Sequence, residues 1–311
     1  MGDYQENKEQ PFASVVICTR NRKECLQKYS LPSVLNLSYP HYEVIVVSDD
    51  SEDGSEEFLE NYKDHSGRLK VIKNRTYNGI AHARNLGAHY AQGEIVAFTD
   101  DDCLVDVNWL SEFVGEFIKN ANLMAIGGFT YDGYSDKPSL PANGIFGFNM
   151  AFRKKVFDRF LFDTNLFFHK GPYHEETDLI NRRRGHGYMT GYVPKAVVRH
   201  FYAPASYRRI NQRISCHLNW IYMNTKSLSL PRYYYKFFKR SYQMFHKIKP
   251  LYKEGILSFA ETLFKIGWVN YILLFELPIK AKITHCREDK IFKLGVPGNS
   301  VNNETLKSSK K

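Results

Sequence analysis

The sequence predicts an α/β fold, built as a mostly parallel sheet flanked by helices. Two observations predict it. Short apolar runs rich in β-branched residues alternate with longer helix-compatible stretches through the N-terminal half of the chain. The runs are continuously apolar, which is typical of strands that are buried on both faces. In such a sheet ligands bind beyond the carboxyl ends of the strands, so the residues that follow each strand are the first candidates for a site.

The predicted elements alternate along the chain. Strands are predicted at Phe12–Cys18, Tyr42–Ser48, Leu69–Lys73 and Ile95–Thr99, with Leu123–Phe129 a further candidate. Helices are predicted at Lys23–Asn36, Ser55–Tyr62, Ile80–Ala91 and Trp109–Asn120. After residue 130 the pattern is less regular, and two further helices are predicted at Arg153–Phe160 and at Glu175 to Arg184.

Composition divides the 311-residue chain into four regions. Hydrophobic residues make up 43% and charged residues 24%, which is ordinary for a globular protein. We predict a polar tail over residues 1–11, an α/β domain over 12–204, a basic and aromatic-rich helical extension over 205–296, and a disordered tail over 297–311. Five scattered cysteines without a CxxC pair, and a polar start without an apolar signal segment, predict a reduced, cytoplasmic protein.

The net charge of +10 is unevenly distributed. The stretch from Leu179 to Lys253 contains sixteen lysines and arginines and no acidic residue, so the remainder of the chain is net acidic. A basic, aromatic-rich stretch indicates an anionic partner, whether phosphate, lipid head group or nucleic acid. The apolar segment Ile256–Ile279 is interrupted by charges, which predicts an interfacial or core helix rather than a membrane span.

Acidic residues follow two of the predicted strands. Tyr42–Ser48 runs into Asp49 and Asp50, and Ile95–Thr99 runs into the acidic triple of residues 100–102. Three consecutive carboxylates repel one another and cost stability unless a cation lies close by. Mn²⁺ or Mg²⁺ is the predicted cation, because such ions take carboxylate oxygens and share their remaining positions with substrate phosphates.

The first acidic loop also fits the spacing of a calcium-binding EF-hand loop. The matching residues are Asp49, Ser51, Asp53, Gly54 and Glu60. An EF-hand loop follows a helix, whereas a predicted strand precedes this one. The calcium interpretation is therefore rejected.

The order of these motifs resembles that of a family 2 glycosyltransferase, an inverting enzyme of the GT-A fold, a Rossmann-like architecture. The resemblance covers about residues 12–202. It rests on Thr19-x-Asn21, Asp49-Asp50-Ser51-x-Asp53-Gly54, Asn78-x4-Ala83-Arg84-Asn85, Gly93-Glu94 and Asp100-Asp101-Asp102, in this order and at compatible spacing.

The resemblance implies a nucleotide site at the ends of the first two strands. Asp49 matches the acid that contacts the nucleotide base in this family. Thr19 would line the base pocket, with Asn21 beside it, and Arg84 would lie near the nucleotide. A nucleotide-sugar donor, most often linked to uridine diphosphate, is the implied substrate.

The resemblance also implies a metal site. The family's DxD motif matches the acidic triple, with Asp102 as the direct metal ligand and Asp100 as a second ligand. Asp100 and Asp101 are further assigned to the nucleotide site. His200, at the end of a segment that resembles a late family motif, is the third metal ligand that the resemblance implies.

In the acceptor half, residues 174–179 are similar to the family's Glu-Asp motif, whose second acid is the catalytic base. That position is Glu176, and its longer side chain leaves Glu175 as an alternative base. A carboxylate within hydrogen-bond reach of an acceptor hydroxyl is what general-base catalysis requires.

We therefore expect a metal-assisted transferase with a saccharide or lipid-linked saccharide acceptor. A lipid-linked acceptor would explain the basic extension, which would bind the inner face of the cytoplasmic membrane. Two alternatives stay open: a nucleic-acid-binding protein, although no binding motif is recognised, and a sugar nucleotidyltransferase, although no glycine-rich loop follows the first strand. The basic residues that would contact lipid are Arg208, Arg209, Arg213, Lys236, Lys239 and Arg240.

Overall fold

A computed structural model describes most of the chain up to residue 201. The predicted disordered tail, the segment Ile256–Ile279, the six basic residues assigned to lipid contact and nearly all of the basic extension lie outside the described residues. The predictions that fall there stay predictions. The described residues are 10–139, 144–166, 174–184 and 187–201, together with the helical residues Cys216, Asn219, Trp220, Tyr222, Met223, Arg232 and Tyr235.

The described residues form one eight-stranded mixed sheet with the strand order β3-β2-β1-β4-β7-β6-β8-β5. The pairs β1–β2, β2–β3, β1–β4 and β6–β8 are parallel, and the other three pairs are antiparallel. The predicted mostly parallel sheet is thus confirmed. The strands are β1 (Ala13–Thr19), β2 (Tyr42–Asp49), β3 (Leu69–Asn74), β4 (Ile95–Asp100), β5 (Cys103–Val105), β6 (Leu123–Asp132), β7 (Met150–Arg153) and β8 (Met189–His200).

Helices flank this sheet, as predicted. The predicted helix Lys23–Asn36 forms as two α-helical pieces around the π-helical turn Leu26–Ser30. The helices are α1 (Lys23–Cys25), α2 (Leu31–Leu35), α3 (Ser55–Asn61), α4 (Ile80–Tyr90), α5 (Trp109–Lys119) and α6 (Glu175–Arg184).

The prediction of a helix over Arg153–Phe160 is wrong. Arg153 ends β7 and pairs with Ile95 of β4, and only the short 3₁₀ turn Lys154–Val156 follows. The Arg153 guanidinium donates to the main-chain oxygens of Leu123 at 2.9 Å and Phe117 at 2.6 Å. These long-range contacts hold Arg153 at the end of a strand, so no α-helix begins there despite the local helical preference.

The parallel strands end at a common edge. Cys18 pairs with Asp100 across β1 and β4, and Asp49 pairs with Asn74 across β2 and β3. Helix α4 packs closely on β1, because a Cβ atom on Gly87 would lie 2.3 Å from Val16. Arg84, in the amino-terminal half of α4, contacts Asp100 at the end of β4, so this half of the helix lies at the carboxyl edge of the sheet.

Two apolar clusters cover the two faces of the sheet. Val15 and Val44 belong to the first cluster, whereas Val16 and Ile45, their neighbours along β1 and β2, belong to the second. All four are fully buried, so each contributes about 1.5–3 kcal/mol to stability relative to an exposed position. Among the residues that the structure describes, no helix has the length and apolarity to cross a bilayer.

Candidate active site

Three non-glycine residues with positive φ angles mark the loops of the candidate site. They are Asn21 after β1 (φ 52°), Asp50 after β2 (φ 56°) and His174 before α6 (φ 73°). Non-glycine residues adopt this conformation at a cost of about 1–3 kcal/mol, and they cluster where function requires a particular geometry. These strained residues lie in the loops in which the sequence motifs predicted binding or catalytic residues.

Asp49 ends β2 in a buried position, 3% exposed. Its Oδ1 accepts a hydrogen bond from Asn74 Nδ2 at 2.5 Å, and among the described residues none donates to its Oδ2. Burial raises the pKa of Asp49 to about 6, against the opposing effects of Asn74 and Arg20. Asn21 lies at the same edge, where its Oδ1 accepts the main-chain N–H of Glu52 at 2.7 Å and so joins the loops after β1 and β2.

Asp101, the central member of the acidic triple, points into the protein. Its Oδ2 accepts the Thr19 hydroxyl at 2.8 Å, and its Oδ1 lies 3.1 Å from Arg22 Nε. Burial raises the pKa of Asp101 to about 8, although the charge of Arg22 opposes the shift. Thr19 and Asp101 therefore support the floor of the site and hold the acids on either side in position.

Asp102 lies between a guanidinium and an imidazole. Arg22 contacts its Oδ2 at 2.7 Å, and His200 Nε2 lies 3.0 Å from its Oδ1. Burial alone would raise the pKa of Asp102, but the hydrogen bond and charge of His200, together with Arg22, hold that pKa below its ordinary value. The carboxylate is therefore ionised at neutral pH.

Asp102, Cys103 and His200 form a group whose ligand atoms lie within 4.8 Å of one another. Burial raises the pKa of the Cys103 thiol well above its ordinary value, so the thiol is protonated in the metal-free protein. A carboxylate with an imidazole fits Mn²⁺ better than Mg²⁺, which prefers an all-oxygen shell. Asp100 does not belong to this group, and its predicted role as a metal ligand stays a prediction.

Arg84 joins the strand edge to α6. This buried side chain on α4 contacts Asp100 Oδ1 at 3.0 Å and forms an ion pair with Glu175 Oε1. Gly147 approaches it so closely that a Cβ atom there would lie 2.5 Å from Arg84 Nη2. The guanidinium thus sits at the junction of the acidic triple, the acidic pair and the loop before β7.

We expect replacement of Arg84 by methionine to destabilise the protein by about 3–5 kcal/mol, because two acids would lose their buried counter-charge. Arg75→Met is the matched control: Arg75 also pairs with a glutamate, Glu56, at 2.7 Å, but its side chain is 71% exposed. The control should cost less than about 1 kcal/mol. Urea unfolding measures both changes, and equal losses in the two variants would contradict the central role of Arg84.

The two acids of the Glu-Asp-like motif have different surroundings. Glu175 is held by Arg84 through Oε1, and its buried Oε2 has no hydrogen-bond partner among the described residues. Glu176 Oε1 accepts the hydroxyl of Thr177 at 3.2 Å. Burial, with the nearby charge of Glu175, raises the pKa of Glu176 to about 8, while Arg84 opposes the shift.

The structure brings most of the predicted site residues together. One contact chain runs from Thr19 to Asp101, through Arg22 to Asp102 and on to His200. A second joins Asp100 to Glu175 through Arg84. Sequence reasoning missed Arg22 and Asn74. Arg22 lies in the loop after β1 and Asn74 ends β3, and position beyond a strand end was the one signal that could have identified them.

A mostly parallel sheet of this kind, with three acids at its carboxyl edge joined through Arg84 to a second acidic pair, has the architecture of the GT-A fold. The chain belongs to glycosyl transferase family 2, whose family model matches residues 14–176, just over half of the sequence. The predictions of a family 2 glycosyltransferase and of the GT-A fold are confirmed.

A curated relative shows how far the likeness reaches. The inactive polypeptide N-acetylgalactosaminyltransferase-like protein 5 of Macaca fascicularis is 31% identical over 151 residues, which cover 46% of this chain and 34% of that protein. The chain matches less than half the length of the first curated relatives.

Two solved structures share the fold. The mannosyltransferase PcManGT from Pyrobaculum calidifontis, in complex with GDP-Man and Mn²⁺, has a TM-score of 0.57 at 21% identity, covering 69% of this chain and 63% of that one. GalNAc-T7 with UDP, GalNAc and Mn²⁺ has a TM-score of 0.55 at 20% identity, covering 70% and 48%. At this identity the likeness concerns the fold, and the two proteins bind different nucleotides.

Proposed function

We propose that this protein is an inverting glycosyltransferase that moves a sugar from a uridine diphosphate donor to a hydroxyl of a saccharide or lipid-linked saccharide, with Glu176 as general base. The observation that carries the proposal is the bridge made by Arg84. It places the acid of the donor edge, Asp100, and the acid at the start of α6, Glu175, on one guanidinium. The carboxyl edge of the sheet, where the donor would bind, and helix α6, which carries the base, thereby belong to a single site.

The hydrogen bonding of Asp49 favours a uracil or thymine base over guanine. Guanine presents two adjacent N–H donors, which match both oxygens of a carboxylate, whereas uracil and thymine present one. Asn74 already donates to Oδ1 of Asp49, so a guanine would have to share that oxygen with Asn74, whereas a uracil or thymine needs only Oδ2. Two donors that share one acceptor oxygen bind it less strongly, which favours the base with a single donor.

Asp102 and His200 are the residues that would hold a divalent cation. When bound there, the cation supplies positive charge to the departing diphosphate. Arg22, 2.7 Å from Asp102, brings a second positive charge to the same edge. The buried hydrogen bond from Thr19 to Asp101 holds this edge in position.

Glu175 and Glu176, the two acids at the start of α6, have different roles towards the sugar substrates. The ion pair with Arg84 fixes Glu175, whose Oε2 has no hydrogen-bond partner among the described residues and is suited to accept a hydroxyl of a bound sugar. Glu176 has a raised pKa, which makes its carboxylate a stronger base for an acceptor hydroxyl. The acceptor oxygen attacks the anomeric carbon, the bond to the diphosphate breaks, and the single displacement inverts that carbon.

The acceptor and the location remain proposals that rest on composition. The basic stretch from Leu179 to Lys253 would bind a lipid diphosphate and the inner face of the cytoplasmic membrane. Co-sedimentation with vesicles tests this part, and binding that is indifferent to anionic lipid content would remove it. Nothing in the described residues favours the nucleic-acid-binding or nucleotidyltransferase alternatives.

Calorimetric titration with UDP, dTDP and GDP, each with Mn²⁺ and then with EDTA, tests the donor site. We expect metal-dependent binding of UDP and dTDP, with GDP weaker by about tenfold or more, the equivalent of one weakened hydrogen bond. Absence of binding by all three nucleotides to folded protein would refute the proposed function.

Asn74→Ala should reduce the preference for UDP over GDP by about tenfold, because it frees Oδ1 of Asp49 for a second donor. The same calorimetric series measures it. Thymidine diphosphate is the internal control: thymine has the same donor pattern as uracil, so the UDP to dTDP ratio should not change. An unchanged UDP to GDP ratio would exclude Asn74 from base selection.

A further inference from the structure

Described helical residues of the predicted C-terminal extension lie against the segment that leads into α6. We call Cys216, Asn219 and Tyr222 the brace. Their spacing of three places them along one side of a helix. The brace contacts are Cys216 Sγ to His174 Nε2 at 3.1 Å, Asn219 Nδ2 to the main-chain oxygen of Leu166 at 3.4 Å, and the Tyr222 hydroxyl to Asp163 Oδ2 at 3.2 Å.

The contacts of Asn219 and Tyr222 are buried, and the contact of Cys216 is partly buried. Tyr222 and Asn219 are both 0% exposed, and Asp163 is 5% exposed. Asp163 Oδ1 accepts the main-chain N–H of Asn165 at 2.9 Å, so the Tyr222 hydroxyl reaches the other oxygen of a carboxylate that is already fixed. A buried hydroxyl and a buried carboxylate oxygen are costly to leave unpaired, which makes this contact specific.

Helix α4 holds the same segment from within the domain. Asn85 Nδ2 donates to the Phe162 oxygen at 3.0 Å, and the Phe162 N–H donates to Asn85 Oδ1 at 2.9 Å. Asn85 follows Arg84, the residue that contacts Glu175. Residues 161–166 therefore lie between the brace and the helix that carries the central guanidinium.

His174 connects the brace to the acids. It immediately precedes Glu175 and has a φ of 73°, which a non-glycine residue keeps only when its surroundings hold it there. Burial lowers the pKa of His174, while the charge of Glu175 and a backbone hydrogen bond with Cys216 oppose the shift, and His174 Nε2 forms a hydrogen bond with Cys216 Sγ whose donor depends on the imidazole tautomer. This contact supports the strained residue at the position where α6 begins.

We propose that the brace positions the acidic pair of α6, so that Tyr222, Asn219 and Cys216 are positioning residues for the transfer reaction although they belong to the predicted extension. This inference rests on the proposed function of Glu176. It also places Cys216, Asn219 and Tyr222 within the catalytic unit, beyond the boundary predicted at residue 204.

The test is Tyr222→Phe in the full chain, with Tyr42→Phe as the matched control. Tyr42 is a second buried tyrosine, whose hydroxyl donates to the Val34 oxygen at 2.9 Å, and it lies on β2 away from the acidic pair. Amide hydrogen exchange should accelerate about tenfold over residues 161–166 and 174–184 in Tyr222→Phe alone. Equal exchange of this segment in the wild type and Tyr222→Phe would overturn the inference.

Kinetics provide the readout that a purely structural role would not change. The probe is UDP release from UDP-N-acetylglucosamine and UDP-glucose with Mn²⁺ and water as acceptor. Tyr222→Phe should lower kcat about tenfold, leave the donor KM within about twofold, and shift the ascending limb of the pH profile. An unchanged kcat and pH profile would overturn the inference even if the exchange rate rose.

The failure of the brace and the failure of the proposed function are distinguishable. Wild-type protein that neither binds UDP nor releases it refutes the proposed function, and the exchange comparison then decides by itself whether the brace holds the segment. Wild-type protein that is active, with an equally active Tyr222→Phe variant, refutes the brace and leaves the proposed function in place.

Discussion

Asp102→Asn is expected to abolish the metal-dependent part of nucleotide binding. Asparagine preserves the shape of the side chain but removes the charge that Arg22 and His200 contact at 2.7 and 3.0 Å. Loss of this ligand should weaken UDP binding in Mn²⁺ by about a hundredfold or more, and kcat by about 10³-fold. Calorimetry in Mn²⁺ and in EDTA measures the first effect, and the EDTA values of wild type and variant should coincide.

The matched control is Asp53→Asn, in the loop that resembles an EF-hand. Asp53 Oδ2 accepts the main-chain N–H of Lys23 at 2.8 Å, and its Oδ1 accepts that of Ser55 at 3.1 Å, so its oxygens already fulfil a local structural role. The metal dependence of UDP binding should therefore survive in Asp53→Asn. The opposite pattern, with metal dependence lost in Asp53→Asn and kept in Asp102→Asn, would place the cation in the loop after β2.

Glu176→Gln is expected to lower kcat by about 10³-fold while UDP binding stays unchanged, since it removes a base that acts on the acceptor alone. The pH profile gives a second signature. Because burial raises the pKa of Glu176 to about 8, the carboxyl is mostly protonated at pH 7, and the rate should rise with pH to half its maximum near pH 8. The residual rate of the variant should lack this ascending limb.

Glu175→Gln distinguishes the role of Glu175 from that of Glu176. Glu175 pairs with the buried Arg84, so its replacement should reduce stability and the affinity for sugar substrates. The ascending limb of the pH profile should remain, because Glu176 is retained. If the limb instead disappears in Glu175→Gln and persists in Glu176→Gln, the base is Glu175.

Most strands and helices of the first 130 residues were predictable because their signals are local, whereas the three-residue strand β5 was not predicted. Strands buried on both faces are apolar throughout, and the predicted Ile95–Thr99 differs from β4 by a single residue. Helix α6 was predicted with the bounds that the structure shows, Glu175–Arg184. Where the sheet turns antiparallel the local signal failed: residues 150–153 form β7 because β4 and β6 pair with them from either side.

The sequence by itself determined the family, the α/β fold class and the position of the acids, because burial periodicity and motif order are properties of neighbouring residues. Only the tertiary structure decided how the partners, the burial and the charge differ from one acid to the next. Arg22 lies 80 positions from Asp102, and Arg84 lies 91 positions from Glu175. These partners, and the burial that comes with them, set the charge of each carboxylate. A local pattern does not encode them, since they arise when distant strand ends and helices pack at one edge of the sheet.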